Sequence, residues 1–242
     1  MRILNLGCGN KTSNSPDVVN VDRSIYVRLK HNPLLHPFVP ILVRGERMKQ
    51  YRSLSDNIVV HDLSRGLPFE DSTVDAVYHS HLLEHIDHHL AESFLLEVKR
   101  VLKPNGIHRI VVPDFEEAAR LYLEHVTVCE SNDAEVDRHD SYIATLLEQS
   151  VRRECAVTSK QPPVRRFFEN VILGDARHRG ETHQWMYDRF NLTALLTRLG
   201  FRQPQIEQFN TSRIPRWNEY GLDQNQAGGE YKPESLYLEV LK

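Results

Sequence analysis

The stretch Ile3-Leu4-Asn5-Leu6-Gly7-Cys8-Gly9-Asn10-Lys11 decides the fold. A short, mostly apolar run passes straight into a glycine, and a second glycine follows two positions later. A strand broken by Gly-x-Gly predicts a turn whose backbone passes closer to a ligand than a Cβ would permit. In an open parallel sheet, ligands bind at the carboxyl ends of the strands.

Further strand-like runs follow at Val18–Val21, Ile58–Val60, Val74–Tyr78, Ile107–Val112, Gln205–Phe209 and Leu236–Leu241. The last two read as an antiparallel pair. Phe94, Leu95, Val98, Val101 and Leu102 recur at helical spacing and predict an amphipathic helix over Ala91–Leu102, stopped by Pro104-Asn105-Gly106. A second helix is expected over Leu192–Leu199, with Asn191 as N-cap and Gly200 as its stop. Strands alternating with helices predict an α/β fold with a mostly parallel, doubly wound sheet. Residues 1–242 read as a single domain. Two long connections interrupt the alternation. Residues 23–57 carry one expected helix near Glu46 to Leu54. Residues 115–182 start helical at Phe115 and read as an inserted, substrate-facing helical cap.

At 242 residues and 40% hydrophobic composition the chain can bury one sizeable core. A net charge of −3 gives no electrostatic basis for non-specific nucleic-acid binding. No apolar run approaches the roughly 20 residues that span a bilayer. Cys8, Cys129 and Cys155 are odd in number and widely spaced, which suits a reducing compartment. With no signal-peptide pattern at Met1 either, a cytoplasmic protein without membrane insertion is expected, and a homodimer is compatible with the sequence.

The chemistry lies at successive strand ends. Asp22 closes the second strand, where a carboxylate can accept both hydroxyls of a ribose. Asp62 follows the third, where it can accept from an adenine amino group. A nicotinamide dinucleotide site would need a third glycine where Thr12 stands, followed by a helix that Ser13-Asn14-Ser15-Pro16 breaks.

Leu4-Asn5-Leu6-Gly7-Cys8-Gly9, Asp62, Leu67-Pro68-Phe69, Asp75, His81-Leu82-Leu83-Glu84-His85 and Leu102-Lys103-Pro104-Asn105-Gly106 together resemble class I S-adenosylmethionine-dependent methyltransferases, and within them the type-11 group. Trp185-Met186-Tyr187-Asp188-Arg189-Phe190 and Lys232-Pro233-Glu234-Ser235-Leu236-Tyr237 resemble a bacterial subgroup linked to surface-polysaccharide biosynthesis. The resemblance implies a Rossmann-like seven-stranded sheet in the order 3-2-1-4-5-7-6, with strand 7 antiparallel. It implies S-adenosyl-L-methionine as cofactor, held by Asn5, Gly7, Cys8, Gly9, Asn10, Lys11, Asp22, Asp62, Leu63, His79 and Ser80. Two positions depart from the family pattern: Asn5 replaces an acidic residue and Lys11 a third glycine. Lys11 could pair with the cofactor's carboxylate or sit solvated in the loop. The link between strands one and two is too short for a crossover helix, which leaves residues 23–57 to cover that flank.

Methyl transfer to a hydroxyl needs alignment and a base. His81, His183 and Asp114 are the candidates for that base, although Asp114 is better suited to cap a helix at Phe115. His81 and His85 share metal-ligand spacing, but the Leu-Leu-Glu-His segment matches the family without a metal, and none is expected. Glu84 and His85 are expected to hold the strand-helix junction. Arg152-Arg153 and Arg165-Arg166 in the cap read as a solvated face or as a grip on an anionic acceptor. The expected partner is a small-molecule or saccharide acceptor methylated at oxygen. Transfer to an amine or amino sugar, and a non-catalytic cofactor-binding scaffold, are the alternatives.

Overall fold

In the computed structural model seven strands form one sheet in the order β3-β2-β1-β4-β5-β7-β6. The structure describes residues 1–30, 54–149 and 182–242, with Val39, Met48, Tyr51 and Arg52 from the segment between the first two ranges. The strands are β1 (Ile3–Leu6), β2 (Val18–Asp22), β3 (Ile58–Val60), β4 (Val74–Ser80), β5 (Leu102–Pro113), β6 (Arg202–Glu207) and β7 (Ser235–Leu241). β1 to β5 pair in parallel, and β7 runs antiparallel to both β5 and β6. The sheet is thus the doubly wound, mostly parallel α/β architecture expected.

Pro104-Asn105-Gly106 does not separate helix from strand as expected. It lies inside β5 as an irregularity, where the register against β4 breaks between Val74 and Ala76. Asn105 adopts φ +61° there. A Cβ on Gly106 would stand 2.9 Å from the Lys103 carbonyl oxygen, so only glycine fits.

One face of the sheet is covered by α2 (His88–Val101) and α5 (Arg189–Arg198), the former following α1 (Ile25–Lys30) in the chain. Phe94, Leu95 and Val98 of α2 and Leu192 and Leu196 of α5 join Leu4, Leu6, Val77, Ile110 and Leu238 in the largest core cluster. α5 starts three residues earlier than expected. Its N-cap is Asp188, whose Oδ1 accepts from the N–H groups of Phe190 and Asn191 at 2.8 Å each, while Asn191 closes the capping box. After β5 come α3 (Phe115–Ser131) and α4 (Val136–Gln149), the described part of the expected cap. Most of the helix expected near Glu46, together with Arg152, Arg153, Arg165 and Arg166, lies outside the described residues.

On the opposite face the connection from β1 to β2 contains no helix, as its length requires. A C-terminal segment with the short α6 (Trp217–Tyr220) takes that place. Ile214, Trp217, Tyr220 and Leu222 pack on Ile3, Val18, Ala76, Tyr78 and Val111. Arg109, completely buried on β5, ties the segment down. Its Nε donates to Asp223 Oδ2 at 2.8 Å and its Nη1 to Glu239 Oε1 at 2.9 Å. The Thr211 and Gln208 carbonyls accept from the same guanidinium, and Asp223 also accepts from Tyr78 and Trp217. Removing one partner of such a network strands the others without water. Arg109→Ala is expected to cost about 3–5 kcal/mol in urea unfolding; a loss below about 1 kcal/mol, typical of an exposed pair, would contradict the anchoring role.

Candidate functional site

The cleft is built first from the glycine loop after β1. Gly7 and Gly9 adopt left-handed backbone, φ +63° and +49°. A Cβ on Gly7 would press to 2.8 Å from Leu82 Cδ1, so Gly7 lets the loop after β4 pack close. A Cβ on Gly9 would meet nothing within 4 Å, so that flank is open to a ligand. Asp22, buried at the end of β2, accepts from the Gly9 N–H at 2.8 Å and the Ser24 N–H at 2.5 Å. Each carboxylate oxygen keeps a second lone pair, so a diol can still donate to it. This carboxylate beside an open glycine flank fits a ribose.

The neighbouring expected contacts divide. Asn5 is a brace: its Nδ2 donates to the Lys11 carbonyl and to Asn20 Oδ1, both at 2.9 Å. Cys8 packs into a cluster with Val27, Val39, Tyr51, Leu54 and Ile58, and burial holds its thiol far above the ordinary range. Val27, Val39, Tyr51 and Leu54 come from the 23–57 connection and Ile58 from β3. Asn10 is exposed. Lys11 is half-buried: its Nζ donates to the Gln224 carbonyl at 2.5 Å and lies 4.5 Å from the Tyr231 ring centroid. Burial lowers its pKa, with Asp223 opposing.

At the β3 end Asp62 caps the short helix Leu63–Arg65, accepting from the Ser64 N–H and hydroxyl. Arg23 and Arg65 pair with its other oxygen. Burial alone would raise its pKa, but these partners pull it below the ordinary value. Leu63 packs against the main core. His79 lies within the core instead of lining the cleft. It is completely buried, its ring 5.0 Å from that of His108 and 5.5 Å from Phe94, and burial lowers its pKa to about 3. Ser80, at the strand end, is half-buried.

The second half of the cleft forms where Thr182–Asp188 crosses the ends of β4 and β5. Gln184 N–H donates to the Glu84 carbonyl at 2.6 Å, and Phe115 N–H to the Tyr187 carbonyl at 3.1 Å. This closes a small pocket lined by Glu84, Pro113, Phe115, His183, Trp185, Met186 and Tyr187. Asp114 acts as the N-cap of α3, accepting from Glu116 N–H at 3.0 Å, with burial raising its pKa. His81, at φ +50°, places Nε2 2.9 Å from Ser235 Oγ and Nδ1 3.4 Å from Glu84 Oε1. Burial first, then the charges of Lys232, His85 and His183, lowers its pKa to about 3. His183 lines the pocket with its ring 4.9 Å from His85.

The residue that sequence reasoning assigned to the junction, Glu84, is the most perturbed acid of the site. It is buried, and among the described residues neither carboxylate oxygen makes a hydrogen bond. Burial raises its pKa to about 8, against the opposing field of its own backbone N–H and of Lys232. His85 presents Nε2 at 3.8 Å while its Nδ1 lies 3.2 Å from the Thr182 carbonyl, which assigns the proton to Nδ1. Burial lowers the His85 pKa to about 4. At neutral pH both neighbouring imidazoles are therefore uncharged and Glu84 carries a proton. One atom each of Glu84, His85 and His183 falls within 4.8 Å of the others; His81 is outside that group. The sequence signal for Glu84 was its place in the His81-Leu82-Leu83-Glu84-His85 segment, which pointed to the junction and not to its burial.

A carboxyl titrating near 8 in the folded chain and 4.5 as its ordinary value binds its proton more tightly when folded. Its contribution to stability is complete below pH 4.5 and lost as pH rises through about 8, at up to about 1.4 kcal/mol per pH unit. Glu84→Gln is expected to flatten stability across that window and to stabilise the alkaline form. An unchanged pH slope in chemical denaturation would contradict the buried, protonated carboxyl.

The profile of the methyltransferase-domain family matches residues 40–110, which begins after Asp22 and runs through β4, α2 and most of β5. No curated protein matches the chain. It is similar to the solved structure of an S-adenosylmethionine-dependent methyltransferase from Archaeoglobus fulgidus, at 15% identity over 100% of this chain and 86% of that one, TM-score 0.43. It is similar also to such enzymes from Mesorhizobium loti, at 14% identity over 100% and 90% with TM-score 0.44, and from Aquifex aeolicus, at 14% over 100% and 81% with TM-score 0.42. At these values the fold rests on the strand order itself. The match over residues 40–110 is to a methyltransferase domain. No described helix is long and apolar enough to cross a membrane.

Proposed function

We propose that this chain transfers the methyl group of S-adenosylmethionine to a hydroxyl of a small molecule or saccharide. The observation that carries this reading is the buried carboxyl of Glu84, set between two neutral imidazoles in the wall of the pocket. When bound, the cofactor supplies an activated methyl carbon on a sulfonium leaving group. Gly9 and Asp22 hold the nucleoside part, and the acceptor docks at the ends of β4 and β5 beside Glu84, His183 and Trp185, which line a water-sized pocket.

Alignment of the acceptor with that carbon supplies part of the rate. The acceptor proton still needs a destination. His81 and His85 are too weakly basic, whereas Glu84 takes a proton near neutrality. Glu84 therefore replaces His81 as the proposed base, and Asp114 is engaged as the N-cap of α3. His81 and His183 orient the acceptor, and Asp114 positions α3. Trp185 is 40% exposed and stacked on His88 at 4.1 Å, a flat face of the kind on which a sugar ring packs. That exposed ring and the Trp185–Phe190 and Lys232–Tyr237 segments support a saccharide acceptor.

The test is transfer of labelled methyl from S-adenosylmethionine to a panel of hydroxylated acceptors, followed across pH. Activity is expected to rise through about pH 8 as Glu84 loses its proton. Glu84→Gln is expected to lose roughly 100-fold or more in turnover together with that dependence. A variant turning over at the parental rate would contradict the base role and favour an amine, which needs none.

A further inference from the structure

Away from the cleft, the hairpin of α3 and α4 gathers three side chains used by nothing described so far. His125 and Cys129 stand four residues apart and so share a face of α3. His139 meets them from α4. His125 Nδ1 lies 3.1 Å from His139 Nδ1, and Cys129 Sγ lies 3.4 Å from His125 Nδ1. One ligand atom from each residue falls within 4.8 Å of the other two. Cys129 is a free thiol.

Metal geometry accounts for these separations. Zinc bonds of about 2.0–2.1 Å to nitrogen and 2.3 Å to sulfur at tetrahedral angles require N···N near ~3.3 Å and N···S near ~3.6 Å. Both observed separations are about 0.2 Å shorter, so a slight opening of the hairpin admits the ion. A hydrogen bond between the imidazoles explains only one of the two contacts well, because a single Nδ1 proton cannot serve both a ring nitrogen and a sulfur with good geometry.

The far side of His125 is a second, independent observation. Its buried Nε2 makes no hydrogen bond among the described residues and faces Glu135 Oε2 at 3.8 Å, from the turn that joins the helices. Glu135 Oε2 already accepts from Arg138 Nη1 at 2.9 Å, and the carboxylate stands where a small closure would let it accept from the other N–H of a ligating histidine. Tyr142 stacks on His125 at 4.0 Å, which fixes the plane of the ring.

We propose that His125, Cys129 and His139 bind one Zn²⁺ ion that staples α3 to α4. Cys129 releases its thiol proton to solvent and binds as thiolate, both histidines bind through Nδ1, and water takes the fourth position. Glu135 accepts from His125 Nε2–H and orients the ring. No metal was expected from the sequence, where His125, Cys129 and His139 form no compact motif. The inference stands apart from the methyl-transfer reading, since none of these residues lines the cleft.

The test uses the full chain, stripped of metal and titrated with Zn²⁺ against a chromophoric chelator and, separately, with Co²⁺. One equivalent of zinc is expected, with a near-ultraviolet thiolate-to-cobalt band in the wild-type protein. Cys129→Ala is expected to abolish the band. Glu135→Gln should keep the stoichiometry and weaken zinc about 10-fold. A wild-type protein that binds no zinc, or binds cobalt without a thiolate band, overturns the proposal. So does binding that survives Cys129→Ala and is lost in His183→Ala, which would place the ion at the strand ends.

Discussion

The buried guanidinium of Arg109 is the constraint from which the rest of the architecture follows. A parallel pair such as β1 and β2 is ordinarily joined through a helix that covers one face of the sheet. Here the connection is too short, and Ile3, Val18, Ala76 and Tyr78 would face water. The C-terminal segment fills the gap, and Arg109 holds it through Asp223, Glu239 and two backbone carbonyls. That placement brings Gln224 and Tyr231 to Lys11, so the glycine loop is braced by the end of the chain as well as by Asn5. The two departures from the family pattern thus do related work. Asn5 and Lys11 both brace a loop that has no helix behind it.

Rigidity there matters because the two halves of the cleft are made by distant pieces of chain. Asp22 and Gly9 form one end, and the crossing of Thr182–Asp188 over β4 and β5 forms the other. Glu84 belongs to the second, its backbone carbonyl accepting from Gln184 and its carboxyl buried beneath that crossing. Burial without hydrogen bonds raises the proton affinity of the carboxyl. The same burial lowers that of His81 and His85. One physical cause thus moves the carboxyl of Glu84 and the imidazoles of His81 and His85 in opposite directions.

Much of the fold was legible because β1 to β4 carry apolar runs ended by Gly7, Asp22, Asp62 and the His81 turn. The strand order came from the resemblance and not from periodicity. Asp188 was missed as a cap because Arg189 and Phe190 precede the apolar stripe of α5, which begins only at Leu192. Pro104-Asn105-Gly106 reads as a stop in any helical pattern, and only the pairing of β5 with β4 turns it into an irregularity within a strand. At the site, the positions of Asp22 at a strand end and of Gly9 in the loop after β1 were readable from the apolar runs that precede them. Glu84, His79 and Lys11 were not. Their roles depend on what packs against them from Thr182, Phe94 and Gln224, residues far away in sequence.

The central claim is that the Gly9–Asp22 corner holds the nucleoside part of S-adenosylmethionine. Calorimetric titration of the protein with S-adenosylmethionine and S-adenosylhomocysteine, beside an Asp22→Ala variant, tests it most directly. The account predicts saturable one-to-one binding of both ligands by the parent chain and loss of that binding in a variant that remains folded. Binding of neither ligand by the folded parent, or equal binding by Asp22→Ala, would contradict it.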